Sequence, residues 1–204
     1  MGYNTFKTSE TLIRTLKTGD DKAWAVFYES YAQIIISFAR KRGCSKELAE
    51  DVLQETTMVL MRYLKNFEYD RNKGRFKSLL FKITDSKIVD AFRRCGKISK
   101  LESSELFNKT SAPNGEPYLV ERESLWDREW KERILHESFL EAKRRVKPMT
   151  FKCFEELYLK EKPVGEIARE MKISPNLISQ HKFKVLKIIT ETAKKIIDEH
   201  GKYG

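Results

Sequence analysis

The stretch GEIAREMKISPNLISQHKFKVLKII, residues 165–189, contains two short helical patterns separated by a sharp turn. In the turn, Ser174 followed by Pro175 predicts the start of a helix, because a serine side chain caps free backbone amides and proline suits the first helical position. This spacing predicts a helix-turn-helix, the motif whose second helix enters the major groove of DNA. The apolar residues expected to form a core shared by the two helices are Ile167, Ala168, Met171, Ile173 and Ile178.

The second helix of this pair is rich in cations, which fit the phosphates of a nucleic acid. Its first turns also carry amide and hydroxyl side chains, which can contact base edges. An ordinary helical hairpin with a solvated basic face is the alternative interpretation. The cations are Lys182, Lys184, Lys187, Lys194 and Lys195, and the polar residues are Asn176, Ser179, Gln180 and His181.

The length and charge of the chain restrict its class. Its 204 residues are enough for one domain or two small ones. The net charge of +10 favours an anionic partner such as a nucleic acid. No apolar run reaches the length of a signal-peptide core or of a membrane span, so we expect a cytoplasmic protein.

Cysteine and histidine residues do not form the patterns of a disulfide framework or a metal site. Cys44, Cys95 and Cys153 are odd in number and include no Cys-x-x-Cys pair. The three histidines lie far apart in the sequence, without the spacing of metal ligands. We therefore expect neither a metal ion nor another cofactor.

Apolar residues recur at intervals of three and four in the first half of the chain and predict amphipathic helices. The first of these helices would be capped by Asp20 or Asp21, and Tyr63 is expected on the inner side of the second. No stretch alternates with a period of two, so the predicted fold is all-α. The three helices are expected at about residues 20–43, 45–64 and 76–94.

The helical periodicity stops after Arg94. The following segment contains Ser, Asn, Gly and two prolines, and we interpret it as a flexible linker, because so long a loop is improbable inside one compact domain. The helical pattern resumes at Trp126, and Pro148 marks a further helix boundary. We predict two small helical domains, residues 1–95 and 125–204, joined by a linker at residues 96–124.

The second predicted helix carries a row of acids opposite its apolar side. Carboxylates beside an exposed methionine suggest a surface for a partner protein, because soft apolar side chains are common at adaptable contacts. A plain polar face is one alternative, and an acid/base or metal-dependent enzyme is another, although no histidine or nucleophile joins the acids. The row contains Glu47, Asp51, Gln54, Glu55, Met58 and Arg62.

The third predicted helix and the residues before it interleave bases with Phe76, Phe81 and Phe92. Basic residues can follow a nucleic-acid backbone, and exposed aromatic rings can stack on unpaired bases. Core positions for the phenylalanines are the alternative, because their spacing is helical.

Three segments, in this order, resemble bacterial sigma factors of the extracytoplasmic-function (ECF) group of the sigma-70 family. They are AEDVLQETTMVLMRYL, YDRNKGRFKSLLFKITDSKIVDAFRR and the C-terminal helix-turn-helix. The resemblance implies a first domain that binds the clamp helices of the largest RNA polymerase subunit and melts the minus-10 promoter element. It also implies a last domain that lies at the flap region of the polymerase and contacts the minus-35 element.

The resemblance assigns roles to three groups of residues. The group expected to bind polymerase contains Asp51, Gln54 and Glu55, extended along the same row by Glu47 and Met58. The group expected at the minus-10 element contains Arg75, Lys77, Ser78, Lys82, Ser86, Lys87, Arg93 and Arg94. The group expected at the minus-35 element contains Ser174, Asn176, Ser179, Gln180, Phe183, Lys184 and Lys187.

The chain departs from the family pattern at three points. Leu79 stands where the family usually has Trp, and the pair Asp85-Ser86 replaces an Arg-Asn pair. Because an acid beside DNA phosphates is unfavourable, Asp85 would contact a base edge, pair with Lys82 or point away from the DNA. The recognition helix also lacks arginine, which weakens the expectation of a guanine-rich target.

These observations favour a sigma factor that has no catalytic centre and directs RNA polymerase to a promoter. A stand-alone helix-turn-helix regulator that binds duplex DNA without polymerase is the main alternative, and a nucleic-acid-processing enzyme that uses the clustered carboxylates is a second. An anti-sigma factor is a further partner that we consider, since the sequence shows no sensor domain.

Overall fold

The computed structural model of the protein describes residues 10–65, 76–96 and 117–203, and every regular element in these ranges is an α-helix. The prediction of an all-α fold is therefore confirmed. The eight helices in these ranges are α1 (Glu10–Lys17), α2 (Asp21–Lys41), α3 (Lys46–Lys65), α4 (Phe76–Arg94), α5 (Pro117–Arg145), α6 (Pro148–Tyr158), α7 (Val164–Met171) and α8 (Pro175–Tyr203).

The ends of α2 follow from local sequence. The carboxylate of Asp20 accepts hydrogen bonds from the backbone amides of Lys22 (3.4 Å) and Ala23 (3.3 Å), so Asp20 is the N-cap. After the helix ends at Lys41, Gly43 adopts a φ of +94°, a conformation that side chains disfavour and glycine tolerates. The cap and the stop predicted for this helix are both confirmed.

The described chain divides into two compact units. The N-terminal unit comprises the described residues between 10 and 133, and the C-terminal unit comprises residues 134–198. This division corrects the predicted boundaries, because residues 117–124 of the predicted linker are helical and α5 as far as residue 133 belongs to the N-terminal unit. The rest of the predicted linker, residues 97–116, lies outside the described residues.

An aromatic core explains why the first half of α5 belongs to the N-terminal unit. Trp126 is buried with its ring centroid 5.2 Å from that of Phe38 and 5.9 Å from that of Phe81. Trp130 is also buried, 5.6 Å from the ring of Tyr31. The four-residue spacing of the two tryptophans places both on one face of α5. The sequence around them is mostly charged, so the apolar pattern before Trp126 was too weak to predict the helix.

The C-terminal unit is built around a smaller cluster. Pro148 is the first residue of α6, as predicted, because a missing amide hydrogen is harmless at that position. The ring of Phe151 in this helix lies 5.0 Å from that of Phe139 in α5. The buried residues of the cluster are Ala142, Val146, Phe151, Phe154 and Val185.

Other features of the described residues bear on the class of protein. Cys44 and Cys153 are buried, Cys95 is exposed, and all three are free thiols. Within the described ranges, no helix has both the length and the apolar composition required to cross a bilayer. The same ranges contain no group of three or more His, Cys, Asp or Glu side chains that could hold a metal ion.

Candidate protein-binding and nucleic-acid interfaces

Helix α3 presents the predicted polymerase-binding residues on one side, which we call the acidic stripe (Glu47, Asp51, Gln54, Glu55 and Met58). Met58 is 47% exposed, and of the four polar residues only Glu55 is partly buried. The pKa of Glu47 lies below its usual value because its carboxylate accepts hydrogen bonds from its own backbone amide and from Ser45. The structure therefore brings these residues together, while their binding role stays a prediction.

Two further apolar side chains of α3 are exposed and were not predicted as part of this surface. Met61 is 39% and Tyr63 is 43% exposed. The expectation that Tyr63 lies on the inner side of the helix is therefore wrong. The preceding Arg62 is exposed as well, so the last turns of α3 are open to solvent on more than one side. Periodicity alone could not separate Tyr63 from its buried neighbour Leu64.

Most of the cations predicted for the minus-10 element are paired inside the protein. Lys77 contacts Asp127 of α5 at 2.6 Å, and Lys87 contacts Asp90 at 2.7 Å. Arg93 lies 3.4 Å from the same Asp90. Of the remaining predicted residues, Ser78 and Lys82 are exposed, Ser86 is partly buried, and Arg75 lies outside the described residues.

The phenylalanines of α4 are not available for stacking on bases. Phe76, Phe81 and Phe92 are all buried. Phe76 packs against Tyr31 with ring centroids 5.5 Å apart, and Phe81 packs against Phe38 at 5.9 Å. The alternative interpretation, that these rings belong to the core, is confirmed. Leu79, which replaces the usual Trp, is partly buried.

Asp85 has a structural environment rather than a DNA-facing one. Its carboxylate accepts hydrogen bonds from Arg42 of α2 at 2.6 Å and from Arg122 of α5 at 2.7 Å. Asp85 and Arg122 are both buried. Of the three possibilities considered, pairing with Lys82 and contact with a base edge are therefore wrong, and Asp85 points away from the surface. A buried carboxylate needs such paired donors, because desolvation of an unpaired charge is costly.

One ion pair joins the acidic stripe to the end of α4. Arg94 donates to Glu55 at 2.6 Å, so a residue predicted for DNA contacts a residue predicted for polymerase. The pKa of Arg94 is raised, first because of this hydrogen bond and further because of the nearby charges of Glu55, Asp90 and Asp51. The two predicted interfaces are thus in electrostatic contact.

Helices α7 and α8 are connected by a three-residue turn that matches the predicted turn. Lys172 adopts a left-handed conformation with a φ of +53°, and the amide of Ile173 donates to the carbonyl of Ala168 at 3.1 Å. The hydroxyl of Ser174 accepts from the amide of Leu177 at 3.2 Å, which confirms Ser174 as the N-cap of α8. Ile167 and Ile178, one on each helix, are buried as expected.

The outer side of α8 carries six residues predicted for the minus-35 element, which we call the recognition face. Phe183 is 71% exposed, an unusual environment for an aromatic ring. The hydroxyl of Ser179 donates to the carbonyl of Pro175 at 3.2 Å. All six residues are exposed: Asn176, Ser179, Gln180, Phe183, Lys184 and Lys187.

Two other polar residues of α8 have partners within the C-terminal unit. His181 shares a hydrogen bond with the hydroxyl of Thr150 in α6, at 3.1 Å from its Nδ1. The ammonium of Lys182 lies over the ring of Tyr158, 5.5 Å from its centroid. These contacts fix the start of α8 against α6.

An ionic cluster at the start of α7 was not predicted from the sequence. Lys162 contacts Glu156 of α6 at 3.2 Å and Glu170 of α7 at 2.7 Å, with Glu166 at 3.7 Å. The pKa of Lys162 is raised by hydrogen bonds to Glu170 and Glu156. The pKa of Glu156 is lowered by hydrogen bonds from Lys160 and Lys162. The cluster joins α6 to α7, and no local sequence pattern predicts it.

Part of the chain is similar to a known protein family. Residues 27–98 match the family model of sigma-70 region 2. No curated protein matched the chain. Among solved structures, a chain of an RsbN–BldN complex is similar at 17% identity, over 88% of this chain and 97% of that chain, with a TM-score of 0.35. The range matched by the family model contains both the acidic stripe and α4.

Proposed function

We propose that the protein is an ECF-type sigma factor that binds core RNA polymerase and directs it to promoters in the bacterial cytoplasm. The observation that carries this proposal is the region 2 match over residues 27–98, which includes the exposed carboxylates of α3. The protein would have no catalytic centre of its own, because the polymerase supplies the chemistry. Its contribution would be to bind two partners, the polymerase and the promoter DNA.

The acidic stripe is the proposed contact for the clamp helices of the largest polymerase subunit. Exposed carboxylates increase the rate of association with a basic surface, and the desolvation of Met58 at the centre of a contact adds affinity. Met61 follows Met58 by three residues, so it shares that side of the helix and extends the apolar part of this surface. The flap region is the partner proposed for the C-terminal unit.

Helix α4 is the proposed contact for the minus-10 element. Lys82 and Ser78 are exposed and free to approach a phosphate. Lys77, Lys87 and Arg94 each have an acidic partner in the protein, so DNA must replace that partner. Unstacking the promoter bases costs a few kcal/mol each, which the contacts to the single strand would offset.

The recognition face of α8 is the proposed reader of the minus-35 element. Gln180 and Asn176 carry amides that can pair with an adenine edge, and Lys184 and Lys187 can contact phosphates. Two DNA-binding units on one chain also gain effective concentration, because binding of one unit brings the other close to its site.

Transcription with purified components tests the proposal. The wild-type protein should bind core polymerase of its host and support initiation at discrete start sites. The double variant Asp51→Arg/Glu55→Arg reverses two charges of the acidic stripe and should lose at least tenfold in polymerase affinity. A matched variant, Asp21→Arg/Glu123→Arg, reverses two exposed acids on other helices and should bind normally.

The same experiment separates the alternatives. A stand-alone regulator would bind duplex DNA tightly without polymerase and would not support initiation. A nuclease would cleave DNA in a divalent-metal-dependent assay and lose that activity in Asp51→Ala. An anti-sigma factor remains a proposed partner, and a protein that captures the chain and blocks its binding to polymerase would identify it.

A further inference from the structure

A carboxylate of α5, Asp127, forms an ion pair with Lys77 at the start of α4. Asp127 Oδ1 lies 2.6 Å from the ammonium of Lys77, and the same ammonium lies 5.3 Å from the centroid of the Trp130 ring. Lys77 is only 27% exposed, whereas Asp127 is 52% exposed. The pair therefore lies at the surface, where a ligand in solution can reach it.

The start of α4 attracts anions for two reasons that act together. Lys77 is the second residue of the helix, so its ammonium adds to the partial positive charge of the helix N-terminus. Such a combination stabilises a phosphate as well as a carboxylate. In this structure, the anion at Lys77 belongs to the same chain.

Buried neighbours on both sides fix the backbone that carries Asp127. Trp126, the preceding residue, is 2% exposed, and Trp130 is 3% exposed. Arg122 donates to the buried Asp85, and Glu129 accepts from Lys41. The pKa of Lys41 is raised by this hydrogen bond with Glu129. Asp127 is thus held beside Lys77 by a docked helix, although its own side chain is open to solvent.

We infer that Asp127 is an internal competitor of promoter phosphate for Lys77. This inference rests on the proposed function, because it assumes that α4 contacts promoter DNA. The Asp127 side chain can rotate into solvent while Trp126 and Trp130 remain buried, so the release of Lys77 requires no unfolding. A phosphate held in the correct place can then replace the carboxylate. For weakly bound nucleic acid, the charge of Lys77 remains neutralised by Asp127.

Binding of single-stranded DNA by the full chain tests the inference. The probe is a fluorescein-labelled single-stranded oligonucleotide of mixed sequence, because phosphates carry no sequence information. Asp127→Asn removes the competing charge and should tighten binding about two- to fivefold, the range expected for an exposed ion pair. The slope of log affinity against log salt should steepen by about 0.7, as expected for one more lysine that neutralises a phosphate.

Two controls separate release of Lys77 from a general change in charge. Glu121→Gln removes an exposed acid from the same helix, about a third of a turn away from Asp127 around the axis, and should leave affinity nearly unchanged. In a Lys77→Ala background, Asp127→Asn should have no effect beyond that of Glu121→Gln. Tryptophan fluorescence verifies that each variant is folded.

The outcomes distinguish this inference from the proposed function. If Asp127→Asn binds no more tightly than Glu121→Gln, or gains as much without Lys77, Asp127 is not a competitor and the inference is wrong. The proposed function would still stand if the wild-type protein supports initiation with core polymerase. If the wild-type protein supports no initiation, the proposed function fails, whatever the binding of the variant.

Discussion

The two units of the protein differ in whether the cations predicted to contact DNA are paired with acids of the same unit. In the N-terminal unit, cations predicted to contact DNA are held by acids of the same unit, such as Lys77 by Asp127 and Arg94 by Glu55. In the C-terminal unit, the recognition face is exposed, and its Lys187 lies 4.0 Å from Glu191. DNA can therefore approach the recognition face directly, whereas at α4 it must replace internal partners.

The units also differ in where they place the ion pairs that hold their helices together. Asp85, with Arg42 and Arg122, is buried between helices of the N-terminal unit. The cluster around Lys162 in the C-terminal unit is more open, because Glu166 and Glu170 are 43% and 48% exposed, although its Glu156 is buried. Buried pairs are costly to break, while exposed pairs contribute little. Substitutions should therefore affect the stability of the two units unequally.

The largest effect is expected for Trp126→Ala. Removing a large buried ring leaves a cavity and costs about 3–5 kcal/mol of unfolding free energy. Urea denaturation followed by tryptophan fluorescence measures this loss, because all three tryptophans, Trp24, Trp126 and Trp130, lie in the N-terminal unit. Met58→Ala, which shortens an exposed side chain of the same unit, should change stability little. A loss below about 1 kcal/mol in Trp126→Ala would mean that α5 is not part of the N-terminal core.

The second effect is expected for Asp85→Ala, which leaves two guanidinium groups without their shared carboxylate. Breaking a buried ion pair by removal of one partner costs about 3 kcal/mol or more. Asp90→Ala on the same helix is the matched control, because its pairs with Lys87 and Arg93 are partly exposed and should cost less than about 1 kcal/mol. Equal losses in the two variants would contradict the distinction between buried and exposed pairs. The same denaturation experiment measures both.

A smaller effect is expected on DNA binding by the recognition face. Gln180→Ala should cost about 1–3 kcal/mol at one promoter position, because a lost amide contact affects one base pair. Lys184→Ala should weaken binding by a similar amount on every sequence, because phosphates carry no sequence information. Fluorescence anisotropy with a set of single-base variants of the minus-35 element measures both. Uniform losses from both substitutions would show that Gln180 does not read a base.

The smallest effect is expected on the change of stability with pH, to which the ionic cluster at the start of α7 contributes. The pKa of Glu156 is lowered in the folded protein, first by the hydrogen bond from Lys160 and next by that from Lys162. Ionised Glu156 therefore stabilises the fold above its unfolded pKa, and this contribution is lost as the pH falls through the lower folded pKa. Glu156→Gln should flatten the acid side of a plot of Tm against pH, while Glu191→Gln should not. A parallel shift at all pH values would contradict this assignment.

The elements that depend on neighbours in the chain were predictable from the sequence. The Asp20 cap, the stop at Gly43 and the Ser174-Pro175 start involve residues within four positions of one another. The acidic stripe was equally predictable, because residues spaced by three and four share one side of a helix wherever that helix lies. The similarity to sigma-70 region 2 was also recognisable, since the matched residues form one continuous range.

The features that join distant parts of the chain were decided only by the tertiary structure. Asp85 pairs with Arg122, 37 residues away, and with Arg42, 43 residues away. Neither pairing has a local pattern, and the same is true of Lys77 with Asp127. Helical periodicity and caps arise from interactions within one or two turns, so sequence alone reveals them. The pairing of distant charges depends on how separate helices pack, and so does the packing of residues 117–133 against the other helices of the N-terminal unit. Only the tertiary structure decides both.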